Sequence, residues 1–370
     1  MNAVAHHAPR KLAAGALLAL AAVPVLWTAF EALKTGSNIT AWRSLARDPA
    51  LMHATLLTLW TGLASTLLAW WGAAALLARG FVRQRLARLL RGLPVMLATP
   101  HAALAIGFLF LLAPSGWLLR ALSPWLTGFD SPPPWPTTQD PWGLGLIAAL
   151  VIKEIPFLLW TAATQLQRDD VRQRWRAEHA LAQTLGYPPR RAFWLVLWPQ
   201  LATRLRWPLL AVLAYGLTVV DMALVIGPAS PPTLAALAWQ WLQDADPATY
   251  AQGAAAGVLL ALMVLACSVL WLGAQHLQRQ MLAHGHGVRG TAAPTPGGDI
   301  GVWLLVGVYV AVLLALAVGS VSGVWAFPSV WPQGFTTAAW AQVAQSSATV
   351  FTTLWLAAGS SAIALAWSVM

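Results

Sequence analysis

The sequence predicts an all-α integral membrane protein: one six-transmembrane-helix unit followed by the beginning of a second, repeated unit. Three observations carry that prediction. Hydrophobic types make up 58% of the 370 residues and charged types 9%, with a mean hydropathy of +0.64. A soluble domain carries about 25% charged residues, so this chain cannot clothe itself in a water-compatible surface. Its Lys and Arg gather on alternate inter-segment loops, and a pattern in its second apolar segment returns near the C-terminal end.

Crossing the hydrocarbon layer as helix takes roughly 20 mostly apolar residues. Eight segments reach that length: Leu12–Phe30, Leu51–Ala78, Leu93–Ala113, Leu144–Thr164, Trp207–Gly227, Ala251–Gly273, Val302–Trp325 and Ser347–Met370. Leu51–Ala78 is long for one crossing, so it should tilt or begin outside the core. The apolar run of Leu12–Phe30 exceeds the 7–15 residues of a signal-peptide core and no clear A-x-A site follows. It reads as a retained helix.

Counting the basic residues between these segments orients the chain. Arg10 and Lys11, then Arg79, Arg83, Arg85, Arg88 and Arg91, then Arg168, Arg172, Arg174, Arg176, Arg190, Arg191, Arg204 and Arg206, and finally Arg279 and Arg289 fall on one side. The other side holds Lys34, Arg43, Arg47 and Arg120. The basic side is expected to be cytoplasmic, with the N-terminus on it, in a bacterial inner membrane. Topology thus explains the net charge of +10 without a nucleic-acid partner. The opposite loops, such as 131–136 and 228–232, are proline-rich and nearly free of positive charge. Trp117, Trp125, Trp135 and Trp142 lie near that boundary, where indoles anchor at the interface or furnish a docking surface for an external protein.

Thr58-Leu59-Trp60 falls on Thr353-Leu354-Trp355 at an offset of 295, which also lays Ser65-Thr66 on Ser360-Ser361. Internal repeats of this kind are common in transporters. Residues 1–284 are expected to form the first six-helix unit, 285–299 a cytoplasmic linker rich in Gly, Pro and Thr, and 300–370 the start of the second unit. Most of that second unit would then be missing, so the chain is expected to be a fragment.

Between the fourth and fifth segments the loop 165–206 carries the most specific pattern. Good helix formers run from Ala177 to Leu185, Gly186 can end a helix in the left-handed conformation, and Pro188-Pro189 forces a bend. A second short helix follows and is expected to stop at Pro199. Gly186, nine residues, then Val196-Leu197-Trp198-Pro199 resembles the EAA loop of permease subunits in binding-protein-dependent ABC importers: EAA, three residues, Gly, nine residues, then I-x-L-P. The spacing puts Ala180, Leu181 and Ala182 where Glu, Ala and Ala would stand. Glu178 lies two positions earlier, about 200° away around the helix. The fused two-unit permeases for thiamine, ferric iron, sulfate and polyamines are similar to this arrangement. The resemblance implies a pore of two six-helix halves, ATP-binding subunits docked on the cytoplasmic elbows, and a periplasmic or extracellular substrate-binding protein. It places the ATPase contact at Ala180, Leu181, Ala182, Gly186, Val196, Trp198 and Pro199.

Lys153, Glu154 and Asp221 are the ionisable residues deepest in the segments. Such residues are costly in a membrane and face a cavity or one another. They are the candidate translocation-path residues, with Asp221 the expected partner of Lys153 across the helix interface and Pro156 expected to bend the helix beside them. The competing interpretation is a bundle-stabilising ion pair.

No catalytic constellation, cofactor or metal site is expected. None of the lysines, Lys11, Lys34 and Lys153, stands in a GxxxxGK[ST] loop, so any ATP would bind another chain. Cys267, the single cysteine, reads as packing. His6-His7 and His284-Gly285-His286 lack neighbouring carboxylates. An ion-coupled secondary transporter would also explain the buried charges, but it gives no reason for the elbow pattern.

Overall fold

A computed structural model describes residues 22–23, 26–27, 29–82, 90–283 and 300–369. Arg10, Lys11, Arg83, Arg85, Arg88, Arg289, both His motifs and the 285–298 linker lie outside the described residues, as does most of the first apolar segment. The described chain is helical, with one isolated β-bridge between Ser322 and Phe335 and no strand. Six of its helical stretches are long and apolar enough to cross a membrane: Leu51–Val82, His101–Leu122, Leu144–Leu166, Pro247–Leu277, Ile300–Ser320 and Ser347–Trp367.

In chain order the helices are α1 (Ile39–Arg47), α2 (Leu51–Val82), α3 (Leu93–Ala98), α4 (His101–Leu112), α5 (Trp117–Leu122), α6 (Leu144–Gln167) and α7 (Asp169–Thr184). Then come α8 (Pro189–Ala192), a π-helical turn (Phe193–Leu197), α9 (Trp198–Arg204), α10 (Arg206–Thr218), α11 (Asp221–Ile226), α12 (Leu234–Leu242) and α13 (Pro247–Ala283). The last three are α14 (Ile300–Ser320), α15 (Ala338–Gln345) and α16 (Ser347–Val369).

Two of the expected uninterrupted spans are broken. The segment 93–113 divides into α3 and α4 at Thr99-Pro100, where Thr99 is extended (ψ 121°) and Pro100 is extended with ψ 146°. A proline disfavours helical backbone in the residue before it, so the break is written at Pro100. The segment 207–227 divides into α10 and α11 at Val219-Val220, with Val219 extended at ψ 128°. Here no proline acts; Thr218, Val219 and Val220 are three successive β-branched residues, poor helix formers.

The bundle is built around α2, which packs on α6, α10 and α12. Its buried face is small and hydroxyl-bearing, including Thr58, Thr61, Gly62, Ser65 and Thr66. The hydroxyls of Thr58, Thr61 and Thr66 donate to carbonyls four residues back at 2.8, 2.9 and 2.7 Å, so these three donors are satisfied within their own helix. Gly62 allows α10 to approach, since a Cβ there would lie 2.6 Å from Leu217 Cδ2.

α14 lies along α4, against Gly107, where a Cβ would be 2.5 Å from Val312 Cγ1. It also repairs α6. Pro156 stands inside that helix, removing the N–H that would reach the Ile152 carbonyl, and the Tyr309 hydroxyl of α14 donates to that carbonyl at 3.3 Å. A second clasp joins α5 to the loop after α14. Arg120, 5% exposed, donates through Nε to Ser115 O at 2.7 Å and through its Nη atoms to the carbonyls of Trp325, Ala326 and Ser329 at 2.9, 2.9 and 3.0 Å. Its guanidinium also lies 4.8 Å from the centre of the Trp325 ring. By contrast, no residue of the span within α16 is buried.

Candidate functional site

The elbow begins with α7, whose first turn carries Asp169 and Asp170, the favourable charge for a helix N-terminus. It ends as the pattern requires. Gly186 adopts φ +90°, and the N–H groups of Gly186 and Tyr187 return to Gln183 O and Ala182 O at 2.9 and 3.1 Å. Any side chain there would cost about 1–2 kcal/mol in the left-handed region. Pro188 then turns the chain into α8.

Pro199 does not stop the second arm. It sits in the first turn of α9, where no intrahelical N–H is needed, and the preceding π turn links α8 to α9, with the Trp198 N–H reaching Phe193 O five residues back. One insertion in the hydrogen-bond ladder lets the helix pass a proline at its seam.

Both arms are clamped by groups the sequence pattern does not single out. His179, buried in α7, has Nε2 2.8 Å from Pro189 O and Nδ1 2.8 Å from Gln183 Nε2. A Gln amide that donates to Nδ1 leaves Nε2–H to donate to the carbonyl. The Phe81 ring of α2 meets it edge-on at 5.2 Å. Glu178 receives Arg174 Nε at 2.7 Å and Gln200 Nε2 at 2.6 Å, while Trp175 Nε1 donates to Gln200 Oε1 at 3.1 Å. The Gln200 amide, and after it the Arg174 guanidinium, holds the Glu178 carboxyl below its ordinary range. Only the i, i+4 spacing of His179 and Gln183 was readable beforehand; Gln200 and Pro189 lie on the other arm.

The motif positions divide by environment. Ala182 is buried, Ala180, Leu181 and Gly186 are exposed, and Val196, Trp198 and Pro199 are half-buried. Leu181 and Leu185 are 61% and 54% exposed and share one face four residues apart, leaving an apolar spot on the elbow's outside. Trp198 packs on Trp70 with ring centres 4.7 Å apart. Together with Pro199, Trp71, Trp194 and Trp271 they line a cavity of about 470 Å³ beside α2 and α13.

The deep charges fall at the two helix breaks, but the expected Lys153–Asp221 pair does not form. Lys153, 4% exposed, donates instead to the carbonyls of Met96, Leu97 and Thr99 at 3.2, 3.4 and 2.5 Å. These carbonyls are freed where α3 stops, so the cation meets the negative end of a helix rather than an acid. Asp221 opens α11 and accepts the Tyr215 hydroxyl at 3.2 Å. Glu154 lies 3.9 Å from His101 Nε2, and the His101 and Tyr215 rings are 4.7 Å apart. The structure therefore brings together Glu154, His101, Tyr215 and Asp221, with Lys153 turned to the end of α3. Among the described residues no group of three His, Cys, Asp or Glu is placed to hold a metal. Cys267 is a half-buried thiol in α13.

No family model matches the chain. Over 309 residues it is 34% identical to a protein of Escherichia coli strain K12 named inner membrane ABC transporter permease protein YnjC, a match covering 81% of this chain and 57% of that relative. The chain thus spans less than two thirds of the length of the relative it matches.

Proposed function

This chain belongs to the ABC transporter permeases, and we propose that within that family it serves an ATP-driven importer. It forms part of the translocation path and couples through the elbow 165–206 to ATP-binding subunits on the cytoplasmic side, while a periplasmic or extracellular binding protein delivers substrate. Hydrolysis belongs to the partner; the chain itself is not an enzyme. It sits in a bacterial inner membrane with its N-terminus cytoplasmic. Residues 1–284 form the first six-helix unit, 285–299 the linker and 300–370 the start of the second.

One observation carries the coupling role: an exposed apolar spot, Leu181 and Leu185, rides on an elbow whose arms are locked by His179 and Glu178. A rigid element transmits displacement, and here it is joined to α2 through the Phe81–His179 and Trp70–Trp198 ring contacts. ATP binding shifts the permease only insofar as it favours one state over the other. The elbow is the element through which that preference reaches the spans, and the cluster at the helix breaks is where the path changes.

The test is recovery of an ATP-binding subunit with the membrane-extracted chain. Leu181→Asp and Leu185→Asp are expected to reduce recovery at least about tenfold, equivalent to about 1.4 kcal/mol, without altering the thermal stability of the permease. Gly186→Arg loses recovery by distorting the elbow. Undiminished recovery with both aspartate variants would remove the elbow from the interface.

A further inference from the structure

The cavity of about 470 Å³ beside α2 and α13 is built like a ligand site. Its volume falls in the range of such pockets, roughly 300–1,000 Å³, and five indoles wall it: Trp70 and Trp71 of α2, Trp194 and Trp198 at the elbow seam, and Trp271 of α13. Trp70 and Trp198 meet at 4.7 Å between ring centres, Trp194 and Trp198 at 5.4 Å, and Trp71 and Trp194 at 6.1 Å, so the wall is a packed aromatic array. One of these indoles is unsatisfied. Trp271 Nε1 is buried yet has no hydrogen-bond partner among the described residues, and its desolvation stays uncompensated until an acceptor enters.

Depth in the membrane decides what can reach it. The apolar stretch Pro247–Leu277 has 31 residues, about 46 Å of helix, against a hydrocarbon thickness of about 30 Å. Centred on the bilayer, it extends about 8 Å past the hydrocarbon at each end. Trp271 stands six residues before Leu277, about 9 Å along the helix. It therefore lies at the hydrocarbon boundary on the elbow side, the level of lipid ester groups and the usual level for Trp. Trp71 stands eleven residues before Val82, so the cavity runs from that boundary inward. On its rim Leu67, Trp71 and Leu195 are 42%, 61% and 44% exposed, an apolar mouth that faces the bilayer.

We infer that this cavity holds one acyl chain of a glycerophospholipid from the elbow-side leaflet, with the ester carbonyl accepting the Trp271 N–H and the chain lying against the indoles. Such a lipid supplies in one molecule what the cavity lacks, an acceptor at the boundary and an apolar body that runs inward. A bare hydrocarbon chain would fill the space and leave Trp271 unpaired. A water-soluble anion would find no Lys or Arg among the lining residues. The seated chain touches Trp194 and Trp198 of the elbow together with Trp70 of α2, so lipid becomes part of the packing between elbow and spans. This inference needs only the membrane location and stands apart from coupling to an ATPase.

The experiment uses the full chain in nanodiscs of phosphatidylethanolamine and phosphatidylglycerol. A trace of phosphatidylcholine carries a diazirine in one chain, that chain being joined to glycerol by an ester or by an ether, and adducts are mapped by peptide mass spectrometry after irradiation. The ester probe is expected to label 67–71, 194–202 or 271–275 at least about fivefold more than the unburied span of α16. It should also exceed the ether probe there about threefold, the worth of one hydrogen bond. Trp271→Phe keeps an aromatic wall and removes the donor, so the preference for ester over ether should vanish while the ether signal persists. Ala274→Trp should fill the space and lower labelling of all three segments about tenfold; Trp271→Phe carries the test if that variant fails to insert. Labelling spread evenly over α2, α13 and α16, or an ester preference unmoved in Trp271→Phe, would overturn the inference. So would an unlabelled cavity in a protein that crosslinks to itself through 67–71 or 271–275, which would make a second copy the occupant.

Discussion

Glu178 on the elbow and Glu154 within α6 are both acids on helices, and burial alone would rank them wrongly. Glu178 has a side chain 27% exposed and is fully engaged, by Arg174 on its own helix and Gln200 on the other arm. Glu154, the more deeply buried of the two, accepts no hydrogen bond among the described residues and has His101 at 3.9 Å. Saturation by partners, rather than depth, therefore marks a group that holds the fold. Lys153 and Arg120 extend the comparison, since both are deeply buried cations fully taken up by carbonyls.

If saturation marks structural groups, the heaviest loss should come from Arg120, which makes four hydrogen bonds to carbonyls. Arg120→Ala is expected to destabilise the extracted protein by about 3–5 kcal/mol, because several buried acceptors lose a charged donor at once. Arg120→Lys should recover only part of this, since an ammonium cannot span the fork. Lys153→Met comes next, at about 2–3 kcal/mol, leaving the carbonyls at the end of α3 without a donor. Thermal unfolding in detergent ranks the three variants; a Lys153→Met protein as stable as the parent would break the rule for the mid-span cation.

Glu178 should show a smaller effect. Its partial exposure tempers the interaction, so Glu178→Ala is expected to cost about 1–2 kcal/mol, seen as faster hydrogen exchange over 169–204. The same clamp carries a pH signature. Its folded-state pKa is depressed, so the stabilisation is present above the unfolded value of about 4.3 and is lost as pH falls through the lower folded value. Exchange in the elbow should therefore accelerate below about pH 4 in the parent and lose that added acid sensitivity in Glu178→Gln.

How much of this was legible follows the same division. Apolar length marked the spans, and Gly186 with the Val196–Pro199 seam marked the elbow, because backbone conformation at Gly and Pro is written in residue identity. The break at Pro100 was equally written there, inside a segment read as continuous, whereas the break at Val219-Val220 carries only weak β-branched propensity. The pairing of Lys153 with Asp221 was misassigned because its true partners are backbone carbonyls, which every residue possesses and no sequence pattern distinguishes. His179 and Gln200 escaped notice for a related reason: their bonds cross from α7 to the other arm, a proximity created by the turn at Gly186. The helix after Pro199 shows how a proline read as a stop serves as a first-turn residue once a π turn precedes it.

The smallest expected change is the sharpest test of the comparison. Glu154→Gln removes a charge from a residue 8% exposed, a site where deleting a structural carboxylate would ordinarily cost several kcal/mol. Because Glu154 accepts no hydrogen bond from the described residues, the amide relieves desolvation and forfeits the loose His101 contact and the attraction of the neighbouring Lys153. Stability should therefore stay within about 0.5 kcal/mol of the parent or rise slightly, in contrast to Glu178→Ala. A loss above about 2 kcal/mol in Glu154→Gln would place this acid among the groups that hold the bundle together. An unchanged melting temperature would show that depth alone does not make an acid structural.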